Sequence, residues 1–87
     1  MNEDEALAYL NQYPEFDWLT KADKQKWFKI DEVSGPLQIG DGFVRNACDR
    51  GDIDGAINYG PGLGWRMPRR GLLLFFAQLK QQGRRVG

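Results

Sequence analysis

Apolar residues are spaced differently in successive stretches of this chain, and each spacing asks for a different local structure. Leu7 and Leu10 stand three apart with Tyr13 three further on, the period of a short amphipathic helix over Asp4–Gln12 that Pro14 stops. An isolated helix this short is marginal in water, so it must be fastened through the cluster Tyr13, Phe16 and Trp18. The run TKADKQKWF from Thr20 reads as a helical turn or two capped by Thr20, and Trp27 to Ile30 then becomes extended. Asp31 has the chemistry of an N-cap for a next helix through Glu32 and Val33, which Gly35-Pro36 should keep short or make restart at Pro36. Val44, Ala47 and Cys48 follow the i, i+3, i+4 pattern and predict a helix over Asp41–Arg50 closed by Gly51. Its outer positions are Asp41, Arg45, Asn46 and Asp49. Ala56–Tyr59 and Trp65–Met67 read as short strands around the loop Gly60-Pro61-Gly62-Leu63-Gly64. Pro68 then suits a helix start, and Leu72, Leu73, Phe75, Phe76 and Leu79 form a wide apolar face before Gly83.

Taken in order, these elements predict an α+β, mostly helical fold: a winged helix-turn-helix with a two-stranded wing and a closing C-terminal helix. The expected organisation is an acidic helical extension over residues 1–19, the winged domain over 20–82 and a basic tail over 83–87. Trp18, Trp27 and Trp65 are expected as core or edge anchors, with Trp65 packing the wing onto the last helix.

Composition fits a single globular domain: 87 residues, 41% hydrophobic and 13% aromatic, leave room for one compact core and argue against disorder. The net charge of zero conceals an uneven distribution. Residues 1–17 carry Glu3, Asp4, Glu5, Glu15 and Asp17 with no Lys or Arg, a charge of −5. From Ile57 onward Arg66, Arg69, Arg70, Lys80, Arg84 and Arg85 meet no acid, a charge of +6. This polarity suits a partner with phosphates and an acidic appendage that shields the basic side until the partner displaces it. One cysteine and no histidine exclude an internal disulfide and a Cys/His zinc site within one chain. The acidic N-terminus, and a longest apolar run of only Leu72–Ala77 against the ~20 residues a bilayer span needs, predict neither a secretory leader nor a membrane helix. A cytoplasmic protein is expected.

The candidate chemistry is recognition rather than catalysis. Arg45 can donate a fork to guanine and Asn46 can pair with adenine's edge, while Arg50 can hold a phosphate. Asn58, Tyr59, Arg66, Arg69 and Arg70 sit where a wing and helix start would straddle a sugar-phosphate backbone. Arg69 and Arg70 oppose the dipole at a helix N-terminus, which asks for an anion beside them. Gly60, Gly62 and Gly64 lack the spacing of a nucleotide-binding loop, Cys48 has no base to activate it, and Asp52 and Asp54 read as a solvated turn. No catalytic residue, metal ligand or cofactor is expected, and no small-molecule substrate.

From Trp27 to Leu79 the chain resembles the excisionase-like branch of the MerR-type winged helix-turn-helix domains. IDEVSGPLQIGDGFVRNACDRGDI is similar to that family's capped helix, apolar turn residue, recognition helix and Gly-acid-apolar exit. GLGWRMPRRGLLLFF is similar to its wing strand, with Trp65-Arg66 central, and the helix after it. Gly35-Pro36, Gly40-Asp41-Gly42 and the acidic N-terminal segment depart from the family pattern. The resemblance implies binding of double-stranded DNA in recombination or transcriptional control, with further copies of the chain or a recombinase as partners. A phage packaging DNA-recognition module shares the general fold, and a protein-interaction adaptor with an acidic arm is the rival from another class.

Overall fold

The computed structural model describes residues 1–83, so all of the basic tail except Gly83 lies outside the described residues. Among them the fold is α+β and mostly helical: α1 (Glu3–Leu10), a 3-10 turn (Pro14–Phe16), α2 (Asp17–Thr20), β1 (Trp27–Phe28), α3 (Ile30–Leu37), α4 (Asp41–Asp49), β2 (Ile57–Asn58), β3 (Trp65–Pro68) and α5 (Arg69–Gln81). The three strands form one antiparallel sheet in the order β1-β3-β2. The extended segment after Trp27 thus becomes a third strand beside the expected hairpin, pairing Trp27 with Pro68 and Phe28 with Met67.

The core is a single cluster, and α5 runs through its centre with Leu72, Leu73, Phe76 and Ala77 sealed from solvent. Phe16 and Trp18 pack their rings against Phe76, and Trp18 also meets Phe28 edge-on. Helix α1 lies along α5 with Ala6 and Leu10 at 0% exposure. The acidic segment is therefore half structural: its polar side faces water and its apolar side completes the core. A removable shield over the basic residues is not what the packing shows. Asn2 caps α1, accepting from the Glu5 N–H at 2.8 Å while Glu5 returns a bond to the Asn2 N–H at 3.1 Å.

The α3–α4 pair departs from expectation in its caps. Helix α3 starts one residue before Asp31, with extended Lys29 at the cap position, and Asp31 lies inside the first turn. Glu32 supplies the cap bond instead, accepting from the Lys29 N–H at 3.0 Å. This bond, with the Lys26 ammonium at 3.2 Å behind it, holds the Glu32 carboxyl below its ordinary pKa. Pro36 sits within α3 and neither ends the helix nor starts a new one. Only the last turn loses a backbone donor to it, and Gly35, with no Cβ, accepts a helical conformation before proline at little steric cost. The helix ends at Gln38, whose left-handed backbone (φ 55°) lets the Gln38 and Ile39 N–H groups return to the Gly35 and Ser34 carbonyls at 3.1 Å. Three residues, Gln38 to Gly40, then separate α3 from α4. The Ser34 hydroxyl donates to the Asp41 carboxylate across that corner. Gly51 closes α4 as its position predicts, with φ 77° and N–H groups of Gly51 and Asp52 returning to Cys48 and Ala47.

Candidate nucleic-acid interface

Helix α4 buries Val44, Ala47 and Cys48 and leaves Asp41, Arg45, Asn46 and Asp49 to solvent. Arg45 and Asn46 are exposed and make no side-chain hydrogen bond or ion pair among the described residues, so both heads are available to a partner. Arg45 stands four residues from Asp41 and four from Asp49, which softens its field without occupying its donors. Cys48 is inert toward this surface, since burial, with a smaller push from Asp49, drives its thiol pKa up to about 11.

The hairpin is built to hold a rigid loop. Ile57 pairs with Arg66 and Asn58 with Trp65. The Tyr59 N–H reaches the Gly64 carbonyl at 2.9 Å, and the Gly64 N–H reaches that of Gly60 at 2.8 Å. Gly60 and Gly64 have φ of 91° and 71°, which a side chain would strain. The Asn58 carboxamide oxygen accepts from the Gly60 N–H at 2.9 Å, an Asx turn that fixes the loop's first corner. Arg66 donates through Nη1 to the Leu63 and Trp65 carbonyls, tying the far side of the loop to β3. Sequence reasoning placed Asn58 and Arg66 as DNA contacts; both are engaged in shaping the loop, and Arg66 retains its remaining N–H groups.

Three other expected contacts fare differently. Arg69 is a correction: it is 3% exposed and cannot reach a phosphate. Its Nε and Nη2 donate to the Leu19 and Thr20 carbonyls at 3.1 and 2.8 Å, and Glu3 stands 3.8 Å from Nη1. The anion that a cation at this helix start requires comes from the chain's own α1. Arg70 faces Asp54 at 3.8 Å and Arg50 faces Asp52 at 3.0 Å, both pairs on the surface where water screens them. Arg50 borders a groove of about 390 Å³ between α4 and α5 with Phe43, Asp52, Phe75 and Leu79.

Residues paired across a sheet share a face, and neighbours along a strand alternate. Phe28 and Met67 therefore point into the core, while Trp27, Arg66 and Ile57 share the opposite side. Trp27, Tyr59, Leu63 and Arg66 line one groove of about 370 Å³ there. Trp27 is 44% exposed, Tyr59 54% and Leu63 60%, so of the two places expected for Trp27, core or edge, it takes the edge. Of the expected contacts, the fold thus brings together Tyr59 and Arg66, with Trp27 and Leu63 as members the sequence reading passed over. The alternation in Lys26-Trp27-Phe28-Lys29 was the available signal, since only one of two adjacent aromatics in a strand can face inward. Neither Arg45 nor Asn46 lines either groove.

Among the described residues no group of three or more acidic, Cys or His side chains is placed to hold a metal, and no helix is long and apolar enough to cross a membrane. Compared with protein-family models, curated proteins and solved structures, the chain matches none.

Proposed function

We propose that this chain is a non-enzymatic DNA-binding protein of winged helix-turn-helix type, with α3 and α4 as the helix-turn-helix, the β2–β3 hairpin as the wing and α5 as the closing helix. The observation that carries the reading is the α3–α4 corner: two short helices, a three-residue turn held by Gln38, and a second helix whose apolar stripe is buried and whose base-reading residue types are free. In such an arrangement α4 enters the major groove, Arg45 and Asn46 specify, and the Gly60–Gly64 loop approaches the backbone or minor groove. The Ser34–Asp41 hydrogen bond ties the two helices across the corner and so holds α4 against α3. Excision or transcriptional control as the role, and the cytoplasm as the location, follow from the resemblance to excisionase-like domains and from the reducing environment a lone free cysteine suits.

Selection from a random duplex pool followed by mobility-shift titration tests this. Arg45→Ala should cost about 1–3 kcal/mol on the selected duplex and relax choice at the base pair it reads. Asn46→Ala should cost about 1–3 kcal/mol at one base pair and relax choice there. Failure of the unsubstituted chain to enrich or shift any duplex at low salt would overturn the proposal, as would wild-type affinity in both variants.

A further inference from the structure

Among the described residues, four of the five exposed large hydrophobic ones, Trp27, Ile57, Tyr59 and Leu63, belong to the sheet and its loop, and three of them line one groove with Arg66. Such exposure is unfavourable for an isolated chain and gains its use when something flat and apolar covers it. Among the described residues no carboxylate lines the groove, and the charged one that does is a guanidinium with N–H donors still unspent. The strand that carries Trp27 is flanked by exposed Lys24 and Lys29, neither of which makes an ion pair among the described residues. Aromatic rings interleaved with cations are complementary to a ligand of stacked rings joined by anions, which is the description of a nucleic-acid strand.

The interior of a duplex cannot be that ligand. Both faces of each interior base are already covered by its neighbours, so an exposed indole or phenol ring has nothing to stack on. Unpaired bases offer a free π-face at every position. We infer that the outer face of the sheet is a second nucleic-acid surface, which binds an unpaired strand by stacking bases on Trp27 and Tyr59 while Arg66, Lys24 and Lys29 take the phosphates. This goes beyond the duplex reading and does not use Arg45 or Asn46 of α4, so each can fail without the other. A chain carrying both surfaces is suited to a boundary between paired and unpaired DNA. Leu63, whose carbonyl accepts from Arg66, adds an exposed apolar side chain to the lining of the same groove.

The test uses a short oligo(dT), which forms no duplex of its own. Titration into the unsubstituted chain should quench tryptophan fluorescence, because Trp27 is the most exposed of the hydrophobic tryptophans and stacking darkens it. Anisotropy of labelled oligo(dT) should show Trp27→Ala and Tyr59→Ala each weakening binding roughly tenfold or more. Trp27→Tyr, which keeps a ring, should recover most of the loss, and Arg45→Ala should leave oligo(dT) affinity unchanged. A dumbbell duplex whose ends are sealed by non-nucleotide linkers should compete poorly. Circular dichroism checks that each variant keeps its fold, and Tyr59, outside the paired strands, gives an answer even if Trp27→Ala does not fold. Absence of oligo(dT) binding, undiminished binding by folded Tyr59→Ala, or equal competition by the dumbbell overturns the inference. The first of these results would return the groove to a protein partner.

Discussion

Arg69 binds carbonyl groups 49 and 50 residues earlier in the chain, and this distance explains why its role is invisible from its neighbours. In sequence it is one of two arginines after a proline, and a helix start with two cations and no acid reads as a place for a phosphate. In the fold it is a buried clasp joining α2, α1 and α5 through Leu19, Thr20 and Glu3. Replacement by methionine, which keeps length and removes the donors, should cost about 3 kcal/mol in urea unfolding, because two buried carbonyls lose charge-assisted bonds. Arg70→Met, whose partner Asp54 is in water, should cost well under 1 kcal/mol. Had Arg69 been a surface contact, the two variants would unfold alike. Arg45 and Asn46, by contrast, were legible as exposed polar residues because a helical period alone decides that they oppose Val44, Ala47 and Cys48.

Among the elements, the helices α1, α4 and α5 could be located from spacing, since each has an apolar side to bury. Two features escaped that reasoning because they depend on partners distant in sequence. The strand β1 exists only because β3 offers it an edge, and two residues of extended chain carry no pattern of their own. Gly71, in the first turn of α5, looks like a weak helix former, yet a Cβ there would lie 2.1 Å from the Asp54 carbonyl oxygen. Its absence lets the loop after α4 lie directly on the helix. Gly42 is the contrasting case: it is exposed on α4 and a Cβ would meet nothing within 4 Å. Gly42→Ala should therefore raise stability by about 0.5 kcal/mol through helix propensity. Gly71→Ala should lower it by about 2 kcal/mol or more, as backbone must move to admit the methyl group. Thermal or urea unfolding of the pair checks both signs, and two stabilised variants would show that the loop does not rest on α5.

At the scale of the whole molecule the chain has a Cα radius of gyration of 12.0 Å, as expected for a compact domain of about this length. The division into an acidic extension and a separate winged domain gives way to one core, since Ala6 and Leu10 are as deeply placed as any residue of α5. Removing residues 1–13 should therefore abolish the cooperative thermal transition seen by circular dichroism, and a shortened chain that still melts sharply would restore the idea of an independent arm. The charge asymmetry that suggested an arm has a physical resolution: the acids of α1 face water or clasp Arg69, while Ala6 and Leu10 on its other side are buried in the core. The seating of α1 on α5 also bears on how the protein is made. Ribosomes add roughly 5–20 residues per second, so the first helix waits several seconds for the last one to emerge. Throughout that interval the growing polypeptide has no finished interior, and Ala6 and Leu10 remain open to chaperones and proteases until α5 leaves the exit tunnel.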